Sequence, residues 1–319
     1  MKVRWAVLAL VGAVLAGCGS GAGTGSGRES GVPRVQSKGD FPELPLERYE
    51  FNAEDNKRME EAESRLAQRC MRSFGFTDFP LNPEQRGEGS GGNGNSVALT
   101  ISTVSPYGML DLDHVRRWGY GFDPDRLRTR RSDAMPKGRA LRQGEFEVLY
   151  GAFGTGRGGA TAVVNGRKVP EGGCSGEAMR QVMGDIAKTT RVWAYVAGRT
   201  GKLDKAVAKD TRVRKAFRDW SRCVEDKGFK RYESPAHAFR DKAWRKGVDG
   251  GNTSRTKREL GTAVADVECN RKLNTAGVWW VVSAEKQRAD LRRDKDRYDA
   301  VRKDQDRVRA TVREVLGEE

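Results

Sequence analysis

The side chains best suited to nucleophilic, redox or metal chemistry in this 319-residue chain are five cysteines and two histidines. Cys18 stands apart, directly after Ala16 and Gly17, whose small side chains leave the backbone open to a peptidase; its thiol is the one near the N-terminus able to form a thioether to lipid. Cys70, Cys174, Cys223 and Cys269 form an even set, which in an oxidising compartment reads as two disulfides. His114 and His237 neighbour no serine or cysteine at the spacing of a hydrolase triad, and neither H-E-x-x-H nor a G-x-S-x-G elbow occurs in the folded part, so no catalytic residue is assigned. Asp111-x-Asp113-His114 places hard and borderline metal ligands together, but both aspartates equally suit the start of a helix, and no metal is assigned. Gly154-Thr155-Gly156-Arg157-Gly158-Gly159 satisfies G-x-G-x-x-G without a buried strand before it, which makes it a glycine-rich loop and leaves the chain with no expected cofactor.

The elements around these residues decide which chemistry applies. Lys2 and Arg4 precede an apolar run from Trp5 to Leu15, too short to span a bilayer and of the size of a secretory signal core. Leu15-Ala16-Gly17-Cys18 resembles a bacterial lipobox. That resemblance implies residues 1–18 as a lipoprotein signal peptide, a diacylglyceryl group and acyl chains such as palmitate on Cys18, and a mature chain anchored to the outer face of the plasma membrane. Two acyl chains anchor stably where one does so reversibly. Residues 19–45, rich in Gly, Ser and Pro without an apolar period, read as a flexible tether.

The net charge is +15, and +13 once Lys2 and Arg4 leave with the signal. Outside the cytosol nucleic acid is not an expected partner. Anionic wall polymer and lipid headgroups are, and a basic surface held near them gains attraction that salt weakens. The competing reading is a solvated face enlarged by GC-rich coding bias, a bias also suggested by only two isoleucines, Ile101 and Ile186.

Cys70 and Cys223 share a setting. Each opens a C-x4-G-F run ending a helical pattern, Cys70 to Phe76 and Cys223 to Phe229, with Gly75 and Gly228 placed to end the helix in the left-handed conformation. If the halves arose by duplication, pairing within each half favours Cys70 with Cys174 and Cys223 with Cys269; crossed pairings stay open. The first half spans 46–200, with a helix over 53–74 capped by Asn52, a basic segment from Arg116 to Arg142 and a hairpin turning at Asn165-Gly166. The second half spans 201–284, with a helix starting at Ser234-Pro235.

From Thr253 or Ser254 a helical pattern runs to Leu316, bent near Gly277. Ala284, Gln287, Leu291, Asp294, Tyr298, Val301, Gln305, Val308, Val312 and Val315 form a heptad stripe along it, and residues 285–319 read as a charged C-terminal helix, either solitary, coiled or docked on a partner protein.

The repeated C-x4-G-F, Leu149-Tyr150-Gly151, Gly172-Gly173-Cys174 ahead of Glu177-Ala178 and the lipobox together resemble uncharacterised actinobacterial lipoproteins, a resemblance that brings no activity. The expected fold is mainly α: two pseudo-repeated disulfide-linked helical halves, one small β-hairpin and a long C-terminal helix. The expected function is envelope binding or interaction rather than catalysis. A hydrolase using carboxylates, or an assembly scaffold acting through the C-terminal helix, are the alternatives.

Overall fold

The first long helix begins where Asn52 and Asp55 cap each other. Asn52 Oδ1 accepts the Asp55 N–H at 2.8 Å, and Asp55 accepts the Asn52 N–H at 3.2 Å, satisfying donors that a helix start leaves free. In the computed structural model, which describes residues 31–81, 105–123, 141–151, 162–184, 194–245 and 252–318, this helix is α1, Ala53–Ser73. It is followed by α2 (Leu112–Trp118), α3 (Gln143–Tyr150), α4 (Gly173–Met183), α5 (Val196–Ala208), α6 (Thr211–Asp226), α7 (Pro235–Phe239), α8 (Lys257–Leu273), α9 (Thr275–Arg293) and α10 (Lys295–Leu316). A hairpin of β1 (Val163–Val164) and β2 (Arg167–Lys168) turns on Asn165 and Gly166, both at positive φ. The fold is therefore mainly helical, with one small antiparallel hairpin and a long C-terminal helix.

The duplicated C-x4-G-F run is the same device down to its hydrogen bonds. At the end of α1, Gly75 N–H bonds to Arg72 O and Phe76 N–H to Met71 O; at the end of α6, Gly228 N–H bonds to Glu225 O and Phe229 N–H to Val224 O. Both are Schellman motifs with glycine at positive φ, and each phenylalanine packs in the same core as the residue its N–H reaches. The disulfides join Cys70 to Cys174 and Cys223 to Cys269. The first ties the end of α1 to the start of α4, whereas the second ties the end of α6 to the end of α8.

Gly173 shows why α4 opens on two glycines. A Cβ there would meet Leu149 O at 2.3 Å and Gly151 N at 2.5 Å, so this close approach of α4 to the end of α3 is open only to glycine.

Tertiary contacts redraw several boundaries. The body starts at Pro33, not 46. Val35 N–H bonds to Asn274 Oδ1, Asn274 Nδ2 to Pro33 O, Trp280 Nε1 to Pro42 O and Leu46 N–H to Gln287 Oε1, so residues 33–46 run along α9 instead of forming part of a loose tether. The long C-terminal pattern is three helices. Thr256, not Thr253 or Ser254, caps α8. The chain breaks at Asn274, which takes the left-handed conformation that asparagine tolerates while its side chain holds residues 33–35, and again at Asp294. Gly277 instead makes room for Pro33 O, 2.3 Å from where its Cβ would stand.

The C-terminal helix does not project. Tyr298, Val301, Val308 and Val312 of α10 join one core with Leu46, Tyr49, Met59, Val182, Met183 and Val196. Most of the heptad stripe is buried within the chain, with Leu291, Asp294 and Val315 partly exposed. The halves also interlock: Val115 of α2 and Tyr120, from the first half by sequence, pack in the second core with Trp220, Trp244 and Val267.

Candidate anion-binding face

Several residues singled out for chemistry have structural roles. Asp111 caps α2 by accepting the His114 N–H at 2.9 Å, His114 Nε2 is 2.8 Å from Gly121 O, and exposed Asp113 pairs with Arg116, so the three do not converge as ligands. Ser234 caps α7, and His237 Nδ1 is 2.8 Å from Ser234 Oγ. The helix expected there ends at Phe239, and Trp244 follows in a separate short turn. Trp220 and Trp244 fill the second core, and Trp279 packs with Val207, Val213 and Phe217. Cys18, Gly154–Gly159 and most of the basic segment 116–142 lie outside the described residues.

A concentration of exposed cations among the described residues was not singled out from the sequence. It lies on the α5–α6 helical hairpin, where Lys202, Lys205, Lys209, Arg212, Arg214, Lys215, Arg218 and Arg222 are all exposed against Asp204, Asp210 and Asp219. The amphipathic pattern dictates this. Val207, Val213, Phe217, Trp220 and Val224 are buried, and the spacings 202, 205, 209 and 214, 218, 222 place the cations outward on each helix. Asp210 caps α6 by accepting the Arg212 N–H at 3.1 Å. Arg212 reaches Glu285 at 2.6 Å and Lys286 reaches Asp210 at 3.3 Å, which fixes the hairpin's turn to α9. Lys215 and Arg222 share Asp219, and their hydrogen bonds hold its carboxyl below the usual range. Lys202, Lys205, Lys209, Arg214 and Arg218 have no ion-pair partner among the described residues. Such a face can attract and hold polyanions.

Groups for acid–base work lie elsewhere. Burial pushes Asp204, on the inner side of α5, up to about 6. Tyr107 is raised by burial and by the fields of Glu47 and Asp204. Glu47 is engaged by the Leu44 N–H at 3.0 Å. A cleft of about 220 Å³ between the start of α1 and α10 brings Glu54 and Asp55 together. There Arg309 grips Asp55 at 2.9 and 2.7 Å and holds its carboxyl below the usual range, which unsuits it as a proton donor.

Asp266 is fully buried in the second core, where Tyr120 OH donates to it at 3.1 Å and Trp220 Nε1 at 2.9 Å. Burial outweighs those bonds and pushes it up to about 8 from 3.8. The native chain therefore holds a proton that the unfolded chain gives up; this contribution is fully present below about pH 4 and is lost as pH rises to about 8, at about 1.4 kcal/mol per pH unit. Asp266→Asn should match the parent below pH 4 and unfold at progressively higher temperature than the parent towards pH 8. Thermal melts across pH 4–9 check this, and an offset independent of pH would contradict it.

Neither known protein families, nor curated proteins, nor solved structures give a significant match to this chain.

Proposed function

We propose that this chain is a lipid-anchored protein of the outer face of a bacterial plasma membrane that binds anionic wall polymer through the α5–α6 face. The anchoring half rests on Leu15-Ala16-Gly17-Cys18 behind a short basic and apolar leader. The binding half rests on one observation, five exposed cations without ion-pair partners among the described residues on a single helical hairpin of a strongly basic chain.

Two observations count against the other readings. The α10 stripe is buried in the chain's own core, and the paired carboxyls of the α1–α10 cleft include one locked by arginine.

Sedimentation with purified anionic wall material tests the proposal. Binding should fall as salt rises. Each cation near an anionic surface is worth about 1 kcal/mol, so Lys202→Glu, Lys205→Glu, Arg214→Glu and Arg218→Glu together should weaken binding by roughly several hundredfold. Cys18→Ser separates the two halves of the reading, releasing the protein from cells without changing its salt-sensitive sedimentation. Sedimentation that ignores both salt and the fourfold substitution would overturn the binding half; sedimentation with anionic vesicles but not wall material would redirect it to headgroups.

A further inference from the structure

The β1–β2 hairpin closes the end of α1, and among the described residues no element closes the end of α6 in the same way. The Schellman bonds at α1 take Arg72 O and Met71 O, which leaves the Ser73 and Phe74 carbonyls to be satisfied from outside the helix. Asn165 Nδ2, at the hairpin tip, donates to Phe74 O at 2.6 Å. Arg167 donates to Ser73 O at 3.4 Å, and its guanidinium lies 5.7 Å from the centre of the Phe74 ring. The approach is close. A Cβ on Gly75 would stand 2.8 Å from Asn165 Nδ2, whereas one on Gly228 would meet nothing within 4 Å. A donor and a cation suit the negative end of a 21-residue helix.

The same tip carries a dipeptide prone to spontaneous chemistry. Asn165 and Gly166 are exposed, at φ of 50° and 73°, and a side chain on Gly166 would meet nothing within 4 Å. In an unconstrained Asn-Gly pair the glycine nitrogen attacks the asparagine Cγ. The N–Cγ bond forms, the Cγ–Nδ2 bond breaks, and ammonia leaves with the proton from the glycine nitrogen. Water then opens the cyclic imide at either carbonyl, giving aspartate or isoaspartate with no net oxidation or reduction.

We propose that Asn165 is a deamidation site that the docked hairpin guards, and that its conversion releases the hairpin from α1 irreversibly. While Nδ2 is held on Phe74 O, Cγ cannot swing onto the Gly166 nitrogen, so conversion proceeds through transient undocking. Aspartate then sets a charged acceptor where an N–H had faced Phe74 O, at the negative end of α1. Isoaspartate adds a main-chain carbon to a two-residue turn and breaks the Val164–Arg167 register. Either product leaves the last carbonyls of α1 to water. The inference shares no residue with the wall-polymer reading.

Incubating the full chain at pH 8 and following residues 162–169 by mass spectrometry tests it, since each conversion adds one mass unit. The native chain should convert about tenfold more slowly than the chain unfolded in denaturant, the protection of one or two net hydrogen bonds, and Arg167→Ala should lose much of that protection. Arg167 is exposed, so folding should persist. Hydrogen exchange over the same segment reads the consequence. Asn165→Asp should exchange about five- to tenfold faster than the parent, and Asn165→Gly, which keeps the positive φ without the repulsion, should fall between them. Equal conversion in native and unfolded chains would overturn the guard, and no conversion in the unfolded chain would overturn the site. Exchange in Asn165→Asp that matches the parent would overturn the release.

Discussion

Replacing Cys70 and Cys174 together with serine should lower the unfolding free energy by about 4–5 kcal/mol, the largest loss expected from any single crosslink here. The bridge closes a sequence separation of 104 residues, and the loop-closure model assigns about 4.7 kcal/mol to a loop near that length. Cys174 is completely buried, in a core with Met71, Phe74, Val148 and Leu149, so the serine hydroxyls add a desolvation cost to the lost constraint. The Cys223 and Cys269 double replacement, over a separation of 46, should cost about 4 kcal/mol by the same model. Denaturant unfolding of both variants and of the parent under reducing conditions measures this. Loss of less than about 1 kcal/mol in each would contradict a stapling role.

Asp290→Ala should be nearly as damaging, at about 3–5 kcal/mol, the usual cost of removing one partner from a buried ion pair. Asp290 is buried where α5, α9 and α10 meet, and it is bound by Arg199, by Arg293 and by the Tyr298 hydroxyl at 2.7 Å. Burial alone would raise its carboxyl, but the hydrogen bonds from Arg199 and Tyr298 outweigh it and hold the group below 3.8. Its contribution is therefore present above the ordinary carboxylate range and is lost as pH falls below it, the opposite sign to Asp266. Asp290→Asn should fall between parent and alanine variant, keeping an acceptor for Tyr298 but not the charge for Arg199. A paired Arg199→Met and Asp290→Leu chain should recover much of the loss, since replacing both partners leaves no stranded charge. Equilibrium unfolding at pH 7 and at pH 3 reads all four chains. Equal stability of the alanine variant and the parent at pH 7 would show that the ion pair contributes nothing.

Both effects belong to places where elements distant in sequence meet, and they mark where reading the sequence stops. The local devices were legible in short windows. Asn52 and Asp111 as caps, Asn165-Gly166 as a hairpin turn, and glycine ending both C-x4-G-F helices all follow from backbone hydrogen bonds and allowed φ angles within a few residues. The favoured disulfide pairing was legible too, because a repeated motif carried it. The outward cations of α5–α6 are present in the helical period, but their even spacing along two amphipathic helices makes them less conspicuous than the unpatterned basic run at 116–142.

What the sequence alone could not decide was which apolar face meets which. The stripe from Ala284 to Val315 announces that α9 and α10 bury a face, yet the period is the same whether the cover is a second chain or this chain's own α1 and α4. Only the tertiary structure places Leu46, Met59 and Val182 against it. Likewise nothing local in residues 33–46 signals that Asn274 and Gln287, more than 200 positions away, will hold them, or that Tyr120 will donate to Asp266. Local geometry is set by energies that neighbouring residues alone control. The choice of partner depends on shape and polar matching across the whole chain, which no window contains.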